Sequence, residues 1–211
     1  MNQFTSTDST ADEMAALAGI YGLLARLWLR EVDASLLEEL CSPPLCERFE
    51  QTGGIIPEKD DANAIEELAI DYCQLFIGPT EHLPPLQSVW QNGQFQGDAT
   101  ASMKEWAEAI SYESALPVSA TMLDHLGVQL DVMGRILSQL PIAHEKTDRN
   151  ISPNEIPKTF CRKHLTWPTP LLEVAIERAK SKFYRSMIRM TRDFLKSEQR
   201  YWMSSVSSST P

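Results

Sequence analysis

Asp124-His125 sets a carboxylate beside an imidazole whose charge changes near neutrality, the two groups that general acid-base chemistry needs. Neighbours on a helix point about 100° apart, so the pair would line one cleft side by side and not face each other. The other reading of His125 is an interior histidine satisfied by hydrogen bonds. No nucleophile or phosphate motif accompanies the pair. The chain has no Gly-rich loop followed by Lys-Ser or Lys-Thr, no Gly-x-Ser-x-Gly, no His-Glu-x-x-His and no strand-turn-helix dinucleotide fingerprint. Cys41, Cys46, Cys73 and Cys161 are scattered, with no second Cys or His pair at zinc-finger spacing, and read as reduced and mostly buried. A small helical hydrolase or transferase acting through His125 and nearby acids is therefore one reading, and a binding protein is the other. The absence of a nucleophile motif and of a metal quartet favours binding.

A second constellation is electrostatic. Glu58 to Glu81 holds seven acids against the single Lys59, within a chain of net charge −10. Nucleic-acid binding needs a surplus of Lys and Arg, so this balance argues against it and fits a basic partner. An acidic balance also serves plain solubility. Met1 to Thr10 is polar and carries Asp8 where a secretory signal would carry a base before an apolar run, and no later apolar stretch reaches the roughly 18 residues that span a bilayer.

The elements that must hold these groups are helical. With 43% apolar residues the chain can bury a core as one domain or two small ones. Thr10 to Glu13 has capping-box spacing before a long apolar helix from Met14 to Leu29. Asp33 caps a second helix through Leu40, and Pro43-Pro44 opens a short third that stops at Thr52-Gly53-Gly54. Ala62 to Phe76 returns to helical period through Ile65, Leu68, Ala69, Tyr72, Leu75 and Phe76. Thr100 caps a helix through Ile110, Ser119 to Leu140 forms another, and Pro153 to His164 a further one. Thr169 then caps a helix with Pro170 at its first position, and a last helix runs from about Ser181 to Trp202. Its stripe of Lys182, Arg185, Arg189, Arg192 and Lys196 reads as a solvated face. No segment alternates as a strand does, so the expected fold is all-α, a compact bundle of about nine or more helices. The polar run Pro141 to Pro153 is the candidate hinge, joining subdomains 1–140 and 153–211 through 141–152.

Between the elements lies the stretch that the rest is organised around. Ile70 to Pro79 closes a helix, and Leu83 to Trp90 reads as a proline-stiffened aromatic loop that cannot be helical. A rigid segment of this kind suits recognition, and equally suits a packed connector in which Trp90 and Phe76 fill the core.

Asp71-Tyr72 through Leu75-Phe76, Gly78-Pro79, Pro84-Pro85 and Ser88-Val89-Trp90, followed by Asp124-His125 and Met133, together resemble the TorD/DmsD/NarJ family of redox-enzyme maturation chaperones. His164-Leu165 to Trp167-Pro168 and Phe183-Tyr184-Arg185 are similar to the family's C-terminal pattern, so the resemblance covers most of the chain. Leu86 stands where the family usually has an aromatic, and Met122 where it usually has proline.

The resemblance implies a cytoplasmic helical chaperone without a cofactor of its own. It would bind the twin-arginine leader of a molybdoenzyme precursor and delay export until the molybdopterin cofactor is inserted. Two arginines beside an apolar stretch call for an apolar groove with negative charge nearby. The residues expected to bind the leader are Tyr72, Leu75, Phe76 and Trp90 as groove walls, Pro84 and Pro85 shaping the loop together with Ser88, Asp124 meeting an arginine or amide, and His125 orienting it. Some members of the family look able to bind a guanine nucleotide weakly, and some form homodimers by exchanging C-terminal helices, which the hinge at 141–152 would permit.

Overall fold

The computed structural model describes residues 5–58, 61, 63–113, 122–146 and 155–204. Among them the chain is all helical, with ten α-helices, one π-helical turn and no strand; Leu86 and His125 form an isolated β-bridge. Contacts divide it into two units, the first of residues 1–29, 86–166 and 198–211 and the second of 30–85 and 167–197.

The first unit is built on α1 (Thr5–Leu29) packed against α7 (Leu126–Lys146). Two glycines of α7, seven residues apart and hence on one face, permit the close approach. A Cβ on Gly127 would lie 2.5 Å from Leu29 Cγ and 3.1 Å from the Ala25 carbonyl oxygen, and one on Gly134 would lie 3.2 Å from the Ala18 carbonyl oxygen. Tyr21, Leu24, Trp28, Leu130, Met133 and Leu137 are buried in this unit, each large apolar side chain contributing on the order of 1.5–3 kcal/mol. Around the pair stand α5 (Gln87–Asn92), α6 (Asp98–Ala109) and α8 (Glu155–His164). Trp106 of α6 meets Phe160 of α8 edge-on, with ring centroids 5.2 Å apart. Glu198, which belongs to this unit, is buried, its Oε2 accepting from Tyr21 Oη–H and from Trp202 Nε1–H at 3.0 Å each.

In the second unit, α2 (Ala34–Leu40) begins where the sequence places it, with Asp33 Oδ1 accepting the Leu36 N–H at 2.9 Å. After Pro43-Pro44 comes α3 (Leu45–Gln51), which stops at Thr52 and at Gly53, whose φ of 89° suits a residue without a Cβ. Next, α4 (Ala64–Tyr72) passes directly into a π-helical turn (Cys73–Ile77) closed by the Gly78 N–H donating to the Cys73 carbonyl. The unit is completed by α9 (Thr169–Arg178) and by residues 182–197 of α10 (Lys182–Ser204). Its core is aromatic. Phe49 stacks on Phe183 at 5.9 Å, and Tyr72 meets Phe76 at 5.2 Å and Tyr184 at 5.8 Å.

Several boundaries differ from expectation. Thr10 lies inside α1, which is already helical at Thr5, so the capping-box spacing is not used as a start. Thr100 lies inside α6, whose N-cap is Gly97. Thr169 is likewise helical, with Pro168 as the N-cap of α9. Pro141 does not end α7, because a helix nucleated by the preceding turns continues across the one hydrogen bond that proline removes. The rest of the expected hinge, 147–152, lies outside the described residues, as do 119–121 of the expected 119–140 helix; that helix begins only at Leu126, and Met122 to His125, with the Asp124-His125 pair, form turn and bridge instead of α-helix. The largest difference is α5, since Gln87 to Asn92 is helical where a loop through Trp90 is expected. The cysteines are less buried than expected: all four are free, and only Cys161 is buried, while Cys73 lies exposed on the π-helical turn.

Candidate functional site

Asp124 explains why α5 forms. Its carboxylate is 1% exposed; Oδ2 accepts the Ser88 N–H at 2.8 Å and Oδ1 accepts the Thr100 hydroxyl at 3.0 Å. Its backbone carbonyl also accepts the Gln87 N–H at 3.1 Å. The residue at the N-cap of α5, Leu86, has no side-chain acceptor, so an acid remote in sequence satisfies the N–H groups that the first turn leaves open. Both carboxylate oxygens of Asp124 thus have internal donors, and Ser88 itself is fully buried.

His125 is 7% exposed. Its Nδ1 accepts the Gly127 N–H at 3.0 Å, which assigns the ring proton to Nε2. Burial lowers its pKa to about 4 against the opposing pull of Asp124, so the ring is neutral at physiological pH. Nε2–H has no partner among the described residues.

Behind this pair stands a second histidine. Gln87 Oε1 accepts from Gln129 Nε2 at 2.6 Å and from His164 Nδ1 at 3.0 Å, while Gln87 Nε2 donates to the Lys163 carbonyl at 2.9 Å and to Gln91 Oε1 at 3.0 Å. An amide oxygen only accepts, so the His164 proton sits on Nδ1 and Nε2 accepts from the Ser102 hydroxyl at 3.0 Å. Burial, aided by Lys163 and opposed by Asp124, lowers the His164 pKa to about 4. Ser102, His164 and Gln87 are arrayed like a nucleophile, base and orienting group, yet all three are buried and the serine donates inward. The arrangement satisfies polar groups in a core and presents no exposed nucleophile. Among the described residues no cluster of three His, Cys, Asp or Glu could hold a metal ion.

In the second unit, Tyr72, Leu75 and Phe76 are buried, Pro85 is buried and Pro84 half-buried. The first three are core residues that shape α4 and its π-helical turn from within. The outward face of the same segment consists of Glu66, Glu67, Ile70, Cys73, Gln74 and Ile77, with Ile70 49% and Ile77 63% exposed. At its side opens a cavity of about 270 Å³ lined by Glu67, Ile70, Asp71, Lys180 and Ser181. Asp71 is buried, and its Oδ1 and Oδ2 accept the Lys180 and Ser181 N–H groups at 3.2 and 2.8 Å. The expected residues therefore fall into two groups, Ser88, half-buried Trp90, Asp124 and His125 in the first unit and Tyr72, Leu75, Phe76, Pro84 and Pro85 in the second. Sequence reasoning missed Gln87, Ser102 and the outward isoleucines. The available signal was Gln129, a polar residue within the apolar stripe of α7, whose burial demands a partner.

Residues 30–173 match the model of the nitrate reductase delta subunit family, and the chain belongs to that family. It is similar to Chaperone protein TorD of Shewanella oneidensis, 29% identical over 145 residues that span 61% of this chain and 67% of the relative. A second Chaperone protein TorD, from Shewanella sp., is 29% identical over 146 residues, 61% and 69% of the two chains. A third, from Aliivibrio fischeri, is 23% identical over 225 residues, 95% and 98% of the two. Among the described residues no helix is long and apolar enough to cross a membrane.

Proposed function

We propose that this chain is a cytoplasmic chaperone that binds the twin-arginine leader of a molybdoenzyme precursor, assists its folding and cofactor insertion, and delays its export. The observation that carries the reading is the outward face of α4 and the π-helical turn. Two exposed isoleucines stand among Glu66 and Glu67, in a segment whose other face is core. A leader combines an apolar stretch with two guanidinium groups, and this face offers both complements. Tyr72, Leu75 and Phe76 hold the face in shape from below, and Pro84 and Pro85 fix the chain that follows. In the first unit Asp124 acts by organising α5, which bears Ser88 and Trp90, and the neutral Nε2–H of His125 donates to a peptide carbonyl. Helix-exchanged homodimers and weak guanine-nucleotide binding rest on the family resemblance.

The test is calorimetric titration of the purified protein with a synthetic twin-arginine leader and with a scrambled peptide of the same composition. Binding of the leader at micromolar affinity or better, about −8 kcal/mol, is expected. Equal affinity for the two peptides would overturn the reading.

A further inference from the structure

We propose that the cavity beside α4 receives one arginine side chain of the bound peptide; this rests on the leader reading above and names the part of the leader that the cavity takes. Its volume, about 270 Å³, falls below the roughly 300–1,000 Å³ of sites that enclose a whole small-molecule ligand, and so suits a single side chain. Its lining residues are net negative, two acids, Glu67 and Asp71, against one base, Lys180. The two acids differ in what they can do. Asp71 is held in place by the Lys180 and Ser181 amides, a fixed negative charge in the wall. Glu67 is exposed, and its carboxylate has no hydrogen bond or ion pair among the described residues, so both its oxygens can accept.

A guanidinium meets these conditions better than an ammonium. Its planar fork of N–H groups matches one carboxylate with two parallel hydrogen bonds, and it sheds water more readily. The methylene stem that carries it would lie along Ile70, which is half exposed and presents the apolar part of the lining. Lys180 opposes the incoming charge. The cavity therefore binds arginine against an internal competitor, and removing that competitor should tighten binding.

A double-mutant cycle tests this. Wild-type protein, Glu67→Gln and Lys180→Gln are each titrated with the parent leader and with two leaders in which one or the other arginine is replaced by glutamine. Glu67→Gln should weaken the parent leader about tenfold. It should cost little against the one leader whose replaced arginine occupied the cavity, and Lys180→Gln should bind the parent more tightly than wild type. Glu67 is a surface residue, so the melting temperature of Glu67→Gln should match wild type and exclude misfolding. If wild type separates leader from scrambled peptide but Glu67→Gln binds every leader as wild type does, or weakens all three equally, the cavity proposal is overturned and the leader reading stands. If wild type does not separate leader from scrambled peptide, the leader reading falls and takes this inference with it.

Discussion

Lowering the pH from 7.5 to 5 should destabilise the protein strongly, through two rings that carry no charge in the folded state. His125 and His164 are held at about 4 by burial, against 6.5 for an exposed imidazole. Their folded values are depressed, so their contribution to stability is complete above pH 6.5 and is lost as pH falls from there towards 4. Linkage then gives each ring about 2 kcal/mol of lost stability at pH 5 relative to neutral pH, or about 4 kcal/mol for both when they act independently. A domain of this class is stable by only about 5–15 kcal/mol, so the loss is a large share of the total. At roughly 2–4 °C per kcal/mol for a chain of this size, the melting temperature should fall by about 10 °C. Differential scanning calorimetry at pH 7.5, 6.5, 6 and 5 follows it, with urea midpoints as a second measure. His164→Gln, which cannot titrate, should melt lower at pH 7.5 but lose only about half as much on acidification. An unchanged midpoint between pH 7.5 and 5, or a variant with the full wild-type drop, would refute the argument.

Two further substitutions test packing and the internal cap. Asp124→Asn places an amide nitrogen where a carboxylate oxygen now accepts the Ser88 N–H or the Thr100 hydroxyl; stability should fall by about 1–3 kcal/mol in denaturant titration, and an unchanged midpoint would remove the capping role. Gly127→Ala forces its Cβ towards Leu29 Cγ and the Ala25 carbonyl oxygen. The side chain can shift but the backbone cannot, so a loss of about 1–3 kcal/mol is expected, and wild-type stability would show that α1 and α7 have slack.

What the sequence made legible was local. Asp33 caps α2 because the acceptor and the amide it serves are three residues apart, and Gly53 ends α3 through its own backbone. The inward face of α4 and of the π-helical turn after it, with Leu68, Tyr72, Leu75 and Phe76, follows from helical period alone. The start of α5 was illegible for the opposite reason. Pro84 and Pro85 constrain the chain only up to Pro85, and the acceptor that lets the helix begin comes from Asp124, 36 residues away from the amide it binds. Placing Asp124 against a ligand followed from its charge, and only the fold shows that its oxygens already have internal donors. The outward isoleucines, Ile70 of α4 and Ile77 of the π-helical turn, were passed over because apolar periodicity identifies the buried face and is silent about apolar residues off it.

The tautomers of the two buried histidines have a chemical consequence. A neutral imidazole is normally the side chain most open to zinc, nickel or copper, and to acylating reagents, because one ring nitrogen keeps a free lone pair. Here both lone pairs point at internal donors, Nδ1 of His125 at the Gly127 amide and Nε2 of His164 at the Ser102 hydroxyl. The other ring nitrogen of His125, Nε2, carries the hydrogen instead. These rings are thus closed to coordination and to acylation while the fold is intact, and they become reactive only on unfolding, so the rate at which they are modified reports how often the first unit opens.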